Sequence, residues 1–410
     1  MQPLFIIDKN HVSFSYKLPK YEPGFNATEQ MSMLGADNDY DAVIEFLSQY
    51  YDSPNTLISY AKEAERFLLW LIHIADKPLS AVNRLDWQNF IKFIENPPAD
   101  WSGPKAPRHI DNKPNPAWRP FNTRFEAEPL AKSQGVNKGE LVTGLGKASS
   151  KLSQKIVETM FGFFVDNGYL NANPCSASRS RRKKAHEQPV TERSLEIELV
   201  DEVIDYLYQQ QKAATNVRKA FQFLRSRYII QLLTGTGLRV SESTGHTFGD
   251  IKVRKEEWIL NIVGKGEKPR SIVIFADLKA VISEFRLAIG LNSPTPLFGE
   301  KTALIPSQYD LNKPITTRRV DQIFREVFDK YARLKWELAQ QVDDPEERGY
   351  LLNQVSILEK VSPHWCRHTH ATNYLQDSGH DLKSTMDRLG HAHINVTFGY
   401  IHSKQKIKED

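Results

Sequence analysis

Three stretches in the first half of the chain carry apolar residues at the three- and four-residue spacing of amphipathic helices. Ser53-Pro54 predicts a helix start, with serine as the N-cap and proline at the first helical position. The apolar face that follows comprises Leu57, Ala61, Ala64, Phe67, Leu68, Leu71 and Ile74. A second helix is predicted near 86–95, and the helical pattern resumes near Ser150 and stops at Asn167-Gly168. Residues 41–170 are therefore predicted to be mainly helical.

Residues 97–120 interrupt this pattern. Proline lacks a backbone N–H and clashes with the preceding turn, so a run rich in proline cannot form a regular helix. The run contains Pro97, Pro98, Pro104, Pro107, Pro114, Pro116 and Pro120. We interpret it as an extended insertion, either a surface loop or a DNA-facing arm. Residues 1–40 mix apolar and polar residues without a long period, and we interpret them as an arm or a short strand pair.

The second half of the chain contains one strand-like alternation inside a helical pattern. Apolar residues alternate before and after the turn Gly264-Lys265-Gly266, which predicts a β-hairpin over 257–275. The alternating positions are Trp258, Leu260, Ile262, Ile272 and Ile274. Beyond residue 316 the pattern is helical nearly to the end, with 336–360 as an additional acidic elaboration. The prediction is a mainly α fold with a small antiparallel β-sheet.

Composition bounds the class of protein. The chain has 410 residues, enough for two or three domains, and 40% of them are hydrophobic, as in ordinary globular proteins. Lys and Arg number 54 against 50 Asp and Glu, so the mild net charge of +4 permits a nucleic-acid partner without arguing for one. Two distant cysteines exclude a disulfide framework. Neither a signal peptide nor a membrane-length apolar run is visible, so we expect a cytoplasmic protein without membrane contact.

Residues 171–190 form a candidate linker with a dense positive charge. The charges are Arg179, Arg181, Arg182, Lys183 and Lys184. Such a run is either a solvated linker or a basic strap across phosphates. We therefore divide the chain into an N-terminal arm (1–40), a helical domain with the proline-rich insertion (41–170), the basic linker (171–190) and a C-terminal domain (191–410).

Two basic residues of the C-terminal domain have neighbours suited to anion binding. Arg239 follows two glycines in TGTGLRVSE, near a predicted helix start, where backbone N–H groups favour anions. Glu242, three residues on, is placed to hold the Arg239 guanidinium in one orientation. Lys265 lies between two glycines at the predicted hairpin tip, where it is either a solvated turn lysine or an ammonium that reaches a phosphate ester.

Two histidine-bearing motifs follow. In SPHWCRHTHAT a helix start precedes His364 and Arg367, which are three residues apart and so fall in the first turn. In LGHAHINVTFGYIH, Tyr400 follows His391 by nine residues. His364 and His368 also have the spacing of two metal ligands on a helix. Arg367 between them would repel a cation, and the glutamate of zinc proteases is missing, so we expect no metal.

Taken together, Arg239, Lys265, His364, Arg367, His391 and Tyr400 resemble, in order and local context, the six-residue active site of the tyrosine recombinases, the phage-integrase type of site-specific recombinase. The resemblance covers 195–404 best. It departs from the family pattern at Trp365-Cys366, in the proline-rich insertion and in the 336–360 elaboration. These departures leave every catalytic group in place and bear on substrate choice and assembly.

The resemblance implies a fold, a reaction and partners. The fold is a helical N-terminal core-binding domain and a catalytic domain that clamp double-stranded DNA as a C. The reaction joins Tyr400 to a DNA 3′-phosphate, with no cofactor, metal or ATP. The partners are two recombination sites in a homotetramer, with accessory DNA-bending or directionality factors, and the protein would be associated with the nucleoid. The expected DNA contacts are Arg179, Arg181, Arg182, Lys183, Lys184, Lys268 and Arg270.

Several functions share these features. Mobile-element integration and excision is the interpretation we favour, because the insertions are large. A chromosome or plasmid dimer resolvase or an inversion switch of the same family would carry the same six residues. A type IB topoisomerase uses similar groups but relaxes DNA without pairing two sites. A DNA-binding regulator with an inactive site is disfavoured, because all six groups are present. The sequence does not identify the target DNA.

Overall fold

The computed structural model describes residues 1–8, 10–14, 33–36, 38–127, 139–176, 195–263, 269–377 and 381–389. These residues fall into two compact units, one within Met1–Ala127 and Lys138–Ala185 and the other within His186–Asp410. Each unit has its own hydrophobic core. The division of the chain into four segments stays a prediction, and residues 177–190 of its basic linker, with all five predicted charges, lie outside the described residues.

Unit 1 is built around four helices. They are α1 Asp39–Ser48, α2 Pro54–Trp70, α3 Arg84–Glu95 and α4 Lys147–Asp166. The predicted start at Ser53-Pro54 is confirmed, and α2 continues into a wider π-helical turn at Leu71–Ala75. Asn83 caps α3 in a reciprocal capping box with Asp86, which satisfies backbone N–H groups that a helix start leaves without partners. The apolar faces of these helices meet in an aromatic-rich core.

The N-terminal residues pack into this core. β1 Phe5–Asp8 pairs antiparallel with β2 His11–Phe14, as the strand-pair interpretation of this region predicts. Buried Glu65 on α2 accepts hydrogen bonds from the backbone N–H of Leu4 at 2.7 Å and of Phe5 at 3.0 Å. Arg108 of the insertion also donates to Glu65. A single buried carboxylate thus joins the arm, α2 and the insertion.

The proline-rich segment differs from the predicted surface loop or arm. It forms a short 3₁₀ turn and the strands β3 Ser102–Gly103, β4 His109–Ile110, β5 Lys113–Pro114 and β6 Phe121–Asn122, followed by β7 Arg124–Ala127 and β8 Gly139–Val142. Trp101, Trp118 and Phe121 are buried in the unit 1 core. Arg66 of α2 lies over the Phe121 ring and donates to the Pro120 carbonyl at 2.9 Å. The large aromatic side chains between the prolines explain the difference, because burying them outweighs the lack of regular structure.

Unit 2 combines eight helices with one three-stranded sheet among its described residues. The strands β9 Ile251–Arg254, β10 Glu257–Val263 and β11 Pro269–Ile274 form an antiparallel sheet in the order β11-β10-β9, which confirms the predicted hairpin and fold class. The helices are α5 Ile197–Lys212, α6 Val217–Thr236, α7 Val240–Ser243, α8 Ala276–Ala288, α9 Thr317–Ala339, α10 Pro345–Leu358, α11 Pro363–Asp377 and α12 Leu382–Leu389.

Buried α6 organises unit 2. It contacts α5, α8, α9, α11 and β11, and its end at Thr236 leads directly into the turn that carries Arg239. The predicted elaboration at 336–360 consists of the C-terminal end of α9 and the whole of α10. These two helices pack against each other. Helix α11 begins at Pro363, as the Ser362-Pro363 pattern predicts. None of the helices formed by the described residues is long and apolar enough to span a membrane.

Candidate active site

Arg239 is fixed by the acidic residue that follows it by one helical turn. Its backbone N–H donates to Oε2 of Glu242 at 2.8 Å, and its Nη1 donates to Oε1 of the same carboxylate at 2.9 Å. The predicted partnership with Glu242 is therefore confirmed. Helix α7, which Arg239 caps, is a single turn of four residues. Its dipole is correspondingly small, so the ion pair rather than a helix N-terminus sets the orientation of this guanidinium.

Arg270 on β11 binds the same carboxylate from the other side. Its Nη2 donates to Glu242 Oε2 at 2.9 Å and its Nη1 to Oε1 at 3.2 Å, a two-point contact in which each side chain is only 6% exposed. Its Nε donates to the carbonyl of Arg388 at 3.0 Å. We predicted Arg270 as a DNA contact, and this assignment needs correction. The donors face protein acceptors in a buried position, so Arg270 supports Glu242 and α12.

Glu242 is a carboxylate held in its charged form. Burial alone would raise its pKa, but the hydrogen bonds from Arg270 and from the Arg239 backbone, together with the charges of both arginines, lower the pKa to about 2. The side chain is therefore ionised throughout the neutral range. It acts as a fixed anion on which two guanidinium groups are oriented.

Arg367 on α11 lies close to Glu242, the carboxylate that holds Arg239 and Arg270. Its side chain is 1% exposed, and one guanidinium nitrogen lies 3.9 Å from Glu242 Oε2. Nη1 donates to the Gly237 carbonyl at 2.7 Å, and Nη2 donates to the Leu389 carbonyl at the end of α12. Arg367 thus ties together the turn before Arg239, its own helix and α12.

The charges in this cluster do not cancel. Among the described residues, Arg239, Arg270 and Arg367 surround one carboxylate, so these four side chains carry a net charge of +2 in a largely buried setting. Arg239 is the most exposed of the three arginines, with 36% of its side chain accessible to solvent. A low-dielectric wall behind an exposed guanidinium strengthens its attraction for an anion. The arrangement suits a phosphodiester, whose negative charge grows as a nucleophile attacks.

The remaining predicted site residues divide into two groups. His364 is exposed in the first turn of α11, one turn before Arg367, and its ring meets that of His368 edge-on at 4.6 Å. Lys265, His391 and Tyr400 lie outside the described residues, as do Lys268 and the basic run Arg179, Arg181, Arg182, Lys183 and Lys184. Within the described ranges no group of three or more His, Cys, Asp or Glu side chains could hold a metal ion.

Two residues of this region were missed by the sequence analysis. His370 and Arg388 are buried and hydrogen-bonded to each other beside the cluster. The available signal was weak. His370 was only one of several histidines in SPHWCRHTHAT, and Arg388 directly precedes LGHAHINVTFGYIH. Neither position stands out until the fold brings α11 and α12 together.

Gly237 offers a test of how tightly this region is packed. Its φ is +65°, and a Cβ added to it would lie 2.6 Å from His370 Cδ2. We expect Gly237→Ala to combine left-handed strain, about 1–2 kcal/mol, with a steric conflict worth a further ~1–3 kcal/mol. Gly290→Ala is the matched control, because Gly290 has φ +86° but open space around its Cα. Urea unfolding of both variants measures the difference, and equal losses would contradict the packing seen here.

Comparison with known proteins places this site in a family. Residues 202–406, half of the chain, match the phage integrase family. The chain therefore belongs to this family, the tyrosine recombinases, and is a site-specific DNA recombinase. Among its relatives, the tyrosine recombinase XerC of Listeria monocytogenes is 26% identical over 253 residues, which cover 62% of this chain and 70% of the relative. XerC of an Escherichia coli strain is 27% identical over 261 residues, covering 63% and 71%.

Solved structures support the same fold. The XerH site-specific recombinase, bound to a palindromic difH substrate after cleavage, aligns with a TM-score of 0.55 at 16% identity, over 91% of this chain and 84% of that one. The integrase of the Tn1549 transposon, in complex with circular intermediate DNA, aligns with a TM-score of 0.52 at 14% identity, over 93% and 100%. At such identities the likeness establishes the fold alone.

Proposed function

We propose that this recombinase cuts and rejoins DNA through a 3′-phosphotyrosyl intermediate on Tyr400. The observation that carries the proposal is the cluster of three guanidinium groups on one ionised carboxylate, with Arg239 exposed. Such a cluster is oriented before substrate arrives, so it stabilises charge that develops on the phosphate without reorganising. Arg239 and Arg367 would supply hydrogen bonds to the non-bridging oxygens.

The proposed steps balance in protons and bonds. The Tyr400 oxygen attacks phosphorus and forms the P–O bond of the 3′-phosphotyrosyl link while the bond to the 5′-oxygen breaks. His364 accepts the tyrosine proton, because a phenol with a pKa near 10 is protonated at neutral pH. Lys265 protonates the departing 5′-oxygen, and His391 donates a hydrogen bond to the phosphate. A 5′-hydroxyl from a partner duplex reverses the step and exchanges strands, so joining requires no external energy.

We also propose the setting in which this chemistry operates. The two units would clamp one recombination site as a C, and four protomers would assemble on two sites, assisted by DNA-bending or directionality factors. Lys268 and the basic run at 179–184 would contact phosphates, which makes binding steeply salt-dependent. The protein would act in the cytoplasm at the nucleoid. Integration and excision of a mobile element is the role we favour, with resolution of chromosome or plasmid dimers as the second candidate.

A plasmid assay separates recombination from general topoisomerase activity. The target is first located by footprinting the protein on the DNA that flanks its gene. We then expect recombination between two plasmid copies of the protected site and no relaxation of a supercoiled plasmid that lacks it, because productive cleavage requires paired protomers. Robust relaxation of the site-free plasmid would contradict the recombinase proposal and favour a type IB topoisomerase. An absence of cleavage at the footprinted site would favour a binding protein.

A further inference from the structure

Arg388 is a buried cation whose described contacts are all with neutral groups. It lies in α12, and none of the carboxylates in the described part of the chain forms an ion pair with it. Its Nε donates to His370 Nε2 at 3.0 Å, its Nη2 donates to the Val273 carbonyl of β11 at 3.2 Å, and its guanidinium lies over the rings of Tyr374 and Phe275. Burying a guanidinium is costly, and among the described residues only neutral groups compensate this one. Its hydrogen bonds to β11 and α11 are therefore the contacts that hold it in this position.

His370 is the neutral partner that this cation requires. Its Nδ1 lies 2.9 Å from the Thr234 carbonyl, which can only accept, so Nδ1 carries the hydrogen. Its Nε2 is then the acceptor for Arg388. Burial first, and the charge of Arg388 next, lower the pKa of His370 to about 3, so the ring is uncharged at neutral pH. The imidazole thereby links Arg388 to the end of α6, directly before Gly237.

The backbone of α12 at this point holds two arginines of the site. The Arg388 carbonyl accepts from Arg270 Nε, and the Leu389 carbonyl accepts from Arg367 Nη2. A guanidinium forms charge-assisted hydrogen bonds with carbonyl oxygens, which are stronger than neutral ones. The positions of both arginines therefore depend on where Arg388 and Leu389 of α12 lie.

The described part of α12 has eight residues, and helices in proteins owe most of their stability to tertiary packing, so tertiary contacts determine its position. The Arg388 side chain supplies such contacts, to β11 through Val273 and to α6 through His370. We propose that His370 and Arg388 are a coupled pair of positioning residues, which fixes residues 388–389 of α12 and thereby places Arg367 directly, and Arg239 through Arg270 and Glu242, for the phosphate. This inference rests on the proposed function only where it concerns cleavage. The placement of α12 is independent of it.

The test compares four variants of the full chain: Arg388→Leu, His370→Phe, the double substitution, and Arg286→Leu as the control. Arg286 is another buried arginine of unit 2, 1% exposed and paired with Glu300, so its loss reports the cost of removing a buried guanidinium away from the site. The DNA probe is the footprinted site, nicked so that cleavage traps the covalent complex. Affinity, single-turnover cleavage at saturating DNA, folded fraction and amide hydrogen exchange are measured for each variant.

We expect each single change to lower the cleavage rate roughly 10- to 100-fold, as a small misplacement of catalytic groups does, with affinity within about threefold of wild type. The double variant should lose less than the product of the two single losses, because it removes the cation together with its partner. The rate of amide hydrogen exchange should increase in α12 and β11 for Arg388→Leu, whereas it should stay unchanged there for Arg286→Leu.

Three results would overturn the inference: wild-type cleavage in the single variants, independent losses in the double variant, or unchanged exchange in α12. Amide hydrogen exchange also distinguishes a failure of the proposed function from a failure of the proposed role of His370 and Arg388. Wild-type protein that never captures its footprinted DNA overturns the proposed function, whereas exchange in Arg388→Leu still decides whether the pair places α12.

Discussion

Tyr400→Phe is expected to reduce covalent DNA capture below detection while DNA affinity stays within about threefold of wild type. The substitution removes one oxygen and nothing else, so a loss of the adduct reports the nucleophile. Because the covalent bond is the reaction intermediate, no other group can compensate for its absence. The measurement is denaturing gel electrophoresis of protein trapped on nicked DNA that carries the footprinted site, with affinity measured in parallel.

Tyr374→Phe is the matched control for this experiment. Tyr374 is a neighbouring tyrosine on α11, and its hydroxyl shares a hydrogen bond of 2.9 Å with Ser384 Oγ on α12. Its loss should cost about 1 kcal/mol of stability and leave covalent capture in place. Capture by the Tyr400 variant, or loss of capture in the Tyr374 variant alone, would show that the assignment is wrong.

Glu242→Ala is expected to cost about 3–5 kcal/mol of unfolding free energy, because it leaves buried Arg270 without its carboxylate. It should also abolish cleavage by the fraction that remains folded, since Arg239 loses the anion that orients it. The pKa of about 2 means that this stabilisation is complete at neutral pH and is lost as the pH falls from about 4.5 towards 2. Urea unfolding at several pH values and single-turnover cleavage measure the two effects.

Glu300→Ala separates stability from chemistry. Glu300 is the carboxylate partner of buried Arg286 in the same unit, so its removal should destabilise the protein by a similar amount. Its described partners lie outside the arginine cluster. We expect the folded fraction of this variant to cleave at close to the wild-type rate. Equal loss of cleavage in both variants would mean that Glu242 acts through stability alone.

The sequence predicts the elements of this fold better than it predicts their packing. The helix starts at Pro54 and Pro363 and the antiparallel pairing of β10 with β11 follow from local rules of proline placement and alternation, which act within a few residues. The insertion was misjudged because its prolines exclude regular structure locally. Whether Trp101 and Trp118 are then buried depends on distant helices, which no local rule describes.

In the site, too, local contacts could be predicted from the sequence and contacts between distant elements could not. Arg239 and Glu242 are three residues apart, so their contact could be predicted from helical spacing. Arg270 was expected, from the family resemblance, to contact DNA. Its burial against Glu242 joins residues 28 positions apart. The bond between His370 and Arg388 depends on how α12 returns to α11, which the sequence pattern leaves open.

The chemical identity of the covalent complex shows which residue is the nucleophile. Wild-type protein is trapped on the nicked site, the DNA and protein are digested with nuclease and trypsin, and the nucleotide-bearing peptide is sequenced by mass spectrometry. Tryptic cleavage after Arg388 and Lys404 releases the peptide 389–404, which contains Tyr400 as its single tyrosine. We predict that this peptide carries the nucleotide, joined through its 3′-phosphate to Tyr400. A nucleotide on another residue would show that Tyr400 is not the nucleophile, and one joined through a 5′-phosphate would exclude the 3′-phosphotyrosyl intermediate.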